Sequence, residues 1–85
     1  MSIIYNRGRR EKPQNLKKVV KVMMVYVAVI NYKVEGYEEH THTIVVGTFR
    51  MKDSAEKALS REYEFIESNI NYTVTEMMIS EQWIE

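Results

Sequence analysis

Val19-Val20-Lys21-Val22-Met23-Met24-Val25-Tyr26-Val27-Ala28-Val29-Ile30-Asn31-Tyr32-Lys33-Val34 is the stretch whose reading decides the fold. It contains no Gly or Pro and is dense in β-branched and aromatic residues, which suit a pleated, packed strand better than a helix. Its even positions, Val20 through Val34, are apolar without exception. On the odd face only the ends are polar, at Lys21, Asn31 and Lys33, while Met23, Val25, Val27 and Val29 are apolar. A strand apolar on both faces is a central one, covered above and below.

Working outward, Glu35-Gly36 supplies a residue able to take positive φ, and a tight two-residue hairpin is expected there. Such a turn pairs Val34 with Tyr37 and sets Tyr26 opposite Val45, Met24 opposite Gly47, Val22 opposite Phe49 and Val20 opposite Met51. On the other face it sets Val27 against Ile44, Val25 against Val46 and Lys33 against Glu38. Apolar residues then meet apolar ones and opposite charges meet, which is what fixes a register. Gly47 inside the second strand marks a bulge or a close approach.

Asp53-Ser54-Ala55-Glu56 follows Met51-Lys52 and reads as a helix start, Asp53 capping and Glu56 reaching back. Ala55, Ala58, Leu59, Glu62, Phe65/Ile66 and Asn69/Ile70 recur at helical spacing, with Ser68-Asn69 as the stop. Asn71–Ser80 then predicts a third strand, followed by Trp83 and Ile84. The order ββαβ, with a crossover through the helix, gives an α+β domain with a three-stranded sheet of order 2-1-3. Its hairpin is antiparallel, and the helix covers the even face of the first strand. A ~16-residue helix spans about 24 Å and a ~16-residue strand about 50 Å, so the hairpin's far end, Ile30–Thr41, is expected to project.

Eighty-five residues make one small domain, without the cysteines that could staple it. No apolar run reaches the ~20 residues of a membrane span, and Met1–Arg7 lacks the order of a secretory signal, so a soluble cytoplasmic protein is expected. The net charge of zero hides an asymmetry. Residues 1–21 hold seven of the twelve Lys/Arg and a single acid, a charge of +6 balanced by −6 over the other residues. Residues 1–18 read as a basic flexible arm, to which Ser2–Tyr5 can add a short strand, and residues 19–85 as the α+β domain.

No stretch specifies a reaction. His40 and His42, with Glu38, share a strand face and could converge on a divalent ion, but three ligands without a second shell favour two solvated histidines, and no metal or other cofactor is assigned. The single aspartate is used as a cap, the helix glutamates make an ordinary outer face, and one helix on one sheet offers scarcely any pocket; no catalytic residue is assigned. Three binding surfaces remain. The hairpin tip mixes Tyr32 and Tyr37 with Glu35, Glu38 and Glu39, an acidic aromatic finger suited to a basic protein partner. The uncovered face carries Val25, Val27, Val29, Ile44 and Val46, a patch that predicts self-association as a homodimer. The arm's Arg7, Arg9, Arg10, Lys12, Lys17 and Lys18 can neutralise phosphates and make nucleic acid the alternative ligand.

In its size, its Cys-free, Lys/Glu/Ile/Tyr-rich composition and its ββαβ order, the chain resembles the accessory proteins that bacteriophages encode to inhibit or redirect a host machine. The resemblance implies a non-enzymatic inhibitor or adaptor that acts by steric blocking. It transfers no functional residue.

Overall fold

The structure, a computed structural model, describes residues 2–7 and 23–84. It is an α+β arrangement of one helix on one mixed sheet: β1 (Ile3–Arg7), β2 (Met23–Val34), β3 (His42–Phe49), α1 (Lys52–Glu67) and β4 (Tyr72–Ile84). The sheet has four strands in the order β1-β4-β2-β3. Three strands were expected. The added one is Ile3–Arg7, so the expected arm of residues 1–18 yields its first part to the sheet, where β1 pairs parallel to β4. The remaining three have the expected neighbours, with β2 antiparallel to both β3 and β4. Residues 19–22 of the expected central strand lie outside the described residues.

The period-two pattern of β2 does set its faces. Ala28 and Ile30 are fully buried against Ala55 and Leu59 of α1, with Tyr26 and Tyr32 packed at the margins, so the even face is the one the helix covers. Two bulges let neighbouring strands match it. In β4 the register shifts between Asn31↔Glu76 and Tyr32↔Val74, leaving Thr75 as the extra residue. Val74, Met77 and Ile79, of mixed parity, thereby all join the core. In β3 the shift falls between Ala28↔Gly47 and Val29↔Val45, so the bulge expected at Gly47 is present, with Val46 as the extra residue.

The hairpin register is not the expected one. Tyr26 pairs with Phe49 rather than Val45, and Ile30 with Ile44. Gly36 does take a positive φ of 90°, but the chain turns twice. Tyr37 N–H donates to Val34 O at 2.9 Å and His40 N–H to Tyr37 O at 3.1 Å, so pairing begins only at Tyr32↔His42. The slip changes faces. Ile44 and Val46, expected on the uncovered side with Val27 and Val25, pack against the helix-side core. Val45 takes the outer position instead and is 64 % exposed.

The helix has its expected length but starts two residues early. Met51 is the N-cap, no side chain caps the first turn, and Asp53 lies inside it, so the expected capping box is not made. Ala55, Leu59 and Ile66 form the buried stripe. Phe65, one position off that stripe, is 73 % exposed, and Ile70, beyond the C-cap Ser68, is 91 % exposed. Of the hairpin end expected to project, Ile30 is core and the helix reaches the level of Tyr32, while residues 35–41 are exposed throughout. Among the described residues Met23–Val25 pairs with Gln82–Ile84, past the last partners in β1 and β3. Among the described residues no helix is long and apolar enough to cross a membrane.

Candidate partner-docking groove

The C-terminal end of α1 meets the sheet at its hairpin end, and a groove of about 200 Å³ opens there. Tyr32 of β2 and Tyr72 of β4 wall it from the sheet side, their ring centroids 5.2 Å apart and tilted by 37°. Their adjacency follows from the pairing of Val34 with Tyr72 and of Tyr32 with Val74 after the Thr75 bulge. Ile44 and Ile66 contribute apolar lining, and Phe65, turned off the buried stripe, forms the outer wall. Glu62, one helical turn earlier, adds a carboxylate to the same lining.

The backbone around this groove is well tied. Ser68 N–H donates to Glu64 O and Asn69 N–H to Ile66 O, and the Ser68 hydroxyl donates to Phe65 O at 2.6 Å. The turn to β4 is closed by Tyr72 N–H on Asn69 O and by Asn71 N–H on Asn69 Oδ1. Glu35 N–H reaches Asn71 O at 2.7 Å, fastening the acidic hairpin loop to the same end of the molecule. The last turn of α1 has no basic residue. Its macrodipole therefore presents an uncompensated negative end beside Glu62 and the tyrosine faces.

In chemical terms that combination suits a positive charge. Aromatic faces attract a cation through their quadrupole, and a carboxylate beside them adds a charge-assisted hydrogen bond. The volume is below the ~300–1,000 Å³ of small-molecule pockets, which fits one large side chain better than a cofactor. A broader depression of about 470 Å³ runs over the outer face of α1, between Asp53 and Glu64. Its lining is charged helix surface without an aromatic wall, so the smaller groove carries more chemistry.

The residues singled out from sequence separate on this structure. Tyr32 lines the groove, half-buried, while Tyr37 stands exposed on the loop. Glu38 folds back to accept Gly36 N–H at 2.8 Å, and Glu39 lies 3.6 Å from His40. The two histidines do not share a strand face as expected. His40 falls in the second turn, and His42 stacks on Tyr32 at 5.2 Å. Among the described residues no group of three His, Asp or Glu is placed to hold a metal ion. Of the expected phosphate-binding residues, Arg7 belongs to β1, and Arg9, Arg10, Lys12, Lys17 and Lys18 lie outside the described residues.

On the face away from the helix, Val25 is buried at 4 % exposure and Val27 and Val29 are half-buried. The register aligns Ile4, Met78, Val29 and Val45 in one apolar row across all four strands. A polar row lies beside it: Asn31 donates to Glu76 Oε1 at 3.1 Å and accepts from the Thr43 hydroxyl at 2.8 Å. Glu62, Phe65 and Tyr72 were not read as site residues, because each fitted the pattern of its own element. Comparison with protein-family models, with the curated proteins and with the solved structures finds no match.

Proposed function

We propose that the chain is a small non-enzymatic binding protein that inhibits or modulates a protein partner by seating one of that partner's cationic side chains in the groove. The observation carrying this reading is the joining of the Tyr32 and Tyr72 rings, an outward Phe65 and the Glu62 carboxylate at a helix end without basic residues. His42 stacks on Tyr32 from the β3 side, which leaves Tyr72 and Phe65 as the aromatic surfaces open to a cation. The acidic loop at the same end supports it, since Glu35, Glu38 and Glu39 add negative potential that steers a basic segment inward. This is the mode of action of a phage-type inhibitor or adaptor, which needs an occluding surface and no catalytic group.

Selection of peptides from a random display library on the immobilised chain tests it. Enrichment of Lys- or Arg-containing peptides is expected, lost in Phe65→Ser and weakened in Glu62→Gln. Enrichment that ignores basic residues, or that survives Phe65→Ser, overturns the groove. Tight binding of nucleic acid with a steep salt dependence would instead favour the basic segment as the working surface.

A further inference from the structure

We propose that the outer edge of β3 is a self-complementary pairing strand, through which two copies of this chain join their sheets antiparallel into one continuous sheet. β3 is terminal in the sheet order, so one side of its backbone has no strand beside it among the described residues. Natural edges are guarded by charge, proline, brevity or bulges. His42–Phe49 runs for eight residues with no Asp, Glu, Lys, Arg or Pro, and its one irregularity is the Val46 bulge. The opposite edge, β1, has five residues and ends in Arg7.

The charges of β3 stand at its two ends and carry opposite signs. Glu38 and Glu39 precede it and Arg50 follows it, all three exposed; Lys52 turns the other way, over the Tyr5 ring of β1. An antiparallel pairing centred between Ile44 and Val46 lays the acidic end of each copy against the basic end of the other, twice per dimer. Parallel pairing would set like charges together, and is disfavoured. This complementarity of the edge with itself is what identifies a second copy as the occupant.

The faces agree with that arrangement. A two-fold axis perpendicular to the sheet keeps both helices on one side. Val45, exposed on the other side, then meets its own copy across the axis. The row Ile4–Met78–Val29–Val45 becomes continuous with its counterpart, an apolar strip across eight strands. The docking groove lies on the helix side, so Phe65→Ser reads partner binding and Val45→Lys reads pairing.

Sedimentation velocity on the full chain tests the proposal. The expected species is about 20 kDa, twice the 10.1 kDa of the chain. Its dissociation constant should rise about tenfold or more between low and high salt, as screening removes the end charges. Val45→Lys should give a monomer with an unchanged circular dichroism spectrum, because the side chain is already exposed. The Glu38→Lys/Glu39→Lys protein and the Arg50→Glu protein should each be monomeric alone and dimeric when mixed one to one. A monomer at concentrations up to roughly 100 μM overturns the proposal. So does a dimer that survives Val45→Lys but is lost in Val27→Lys, which would place the contact on the sheet face. Should a charge-reversed protein fail to fold, the salt dependence of the native chain and the Val45→Lys result decide the matter.

Discussion

Gly36 and Gly47 are both glycines at the hairpin, yet they are required for different reasons, and the difference can be measured. Gly36 has φ 90° with nothing within 4 Å of where a Cβ would stand, so its constraint is backbone conformation alone. Gly36→Ala should lower stability by about 1 kcal/mol, and Gly36→Asn by less, because asparagine tolerates the left-handed region. At Gly47 a Cβ would stand 2.9 Å from Cζ of the Phe49 ring, which itself packs on the core. Gly47→Ala should then cost about 1–3 kcal/mol through overpacking. Combining it with Phe49→Leu should recover part of that loss, and the same second change should not rescue Gly36→Ala. Urea midpoints at constant slope read all of these. Gly47 was legible in the sequence as a bulge site, and Gly36 as a turn. The length of the loop was not, because Ile44, Val45 and Val46 are all apolar. Either register therefore matches apolar residues with apolar residues, and only the second turn, closed by His40 on Tyr37, distinguishes them.

Among the elements, α1 shows how one position along a helix separates a core side chain from an exposed one. Leu59 is fully buried in the stripe, so Leu59→Ala should cost about 2–5 kcal/mol. That is a large share of the roughly 4–13 kcal/mol expected for a chain of this length. Phe65→Ser should change stability by no more than about 0.5 kcal/mol while removing the groove's outer wall. The sequence pattern offered Phe65 and Ile66 as equivalent, and only the angle of the helix on the sheet assigns the core position to Ile66. The groove was hidden for the same reason, since it depends on the Thr75 bulge that sets Tyr72 beside Tyr32. A second contact of α1 reaches β1: the Tyr5 hydroxyl donates to the Glu56 carboxylate, and Lys52 Nζ lies 4.3 Å from the ring centroid. The hydrogen bond to Glu56, and secondarily desolvation, raise the Tyr5 pKa above the ordinary 10.0. The protonated form is thus favoured by folding, so its contribution is present below pH ~10 and lost as pH rises through the raised value. Tyr5→Phe should lower the melting temperature slightly at neutral pH, a loss of at most about 1 kcal/mol for so exposed a pair. The gap between the two proteins should close above pH 10. A gap that stays constant to pH 12 would mean that the hydroxyl contributes nothing.

For the whole molecule, the position of β1 changes what removal of the N-terminal segment does. Read from the sequence, residues 1–18 are a detachable arm, and their deletion leaves folding intact. In the structure Ile3 packs on the core and Tyr5 bridges to α1, while β1 pairs along β4 from Met77 to Glu81. Deleting residues 1–7 removes the strand beside β4 and uncovers Met77, Met78 and Ile79, an apolar edge of the kind that joins other chains. The truncated chain should therefore lose several kcal/mol and aggregate on warming. Nucleic-acid binding lost by such a deletion would then report unfolding as readily as a missing contact. The informative variant keeps β1 and changes charge alone: Arg9, Arg10, Lys12, Lys17 and Lys18 to Gln together. If the basic segment binds phosphate, this protein should melt as the native chain does and show a flatter dependence of affinity on salt, by about 0.9 log units per contact removed on duplex DNA. Unchanged binding and salt slope would assign any nucleic-acid affinity to another surface. A native-like melting curve for the chain without residues 1–7, followed by circular dichroism, would show that β1 contributes no stability to the sheet.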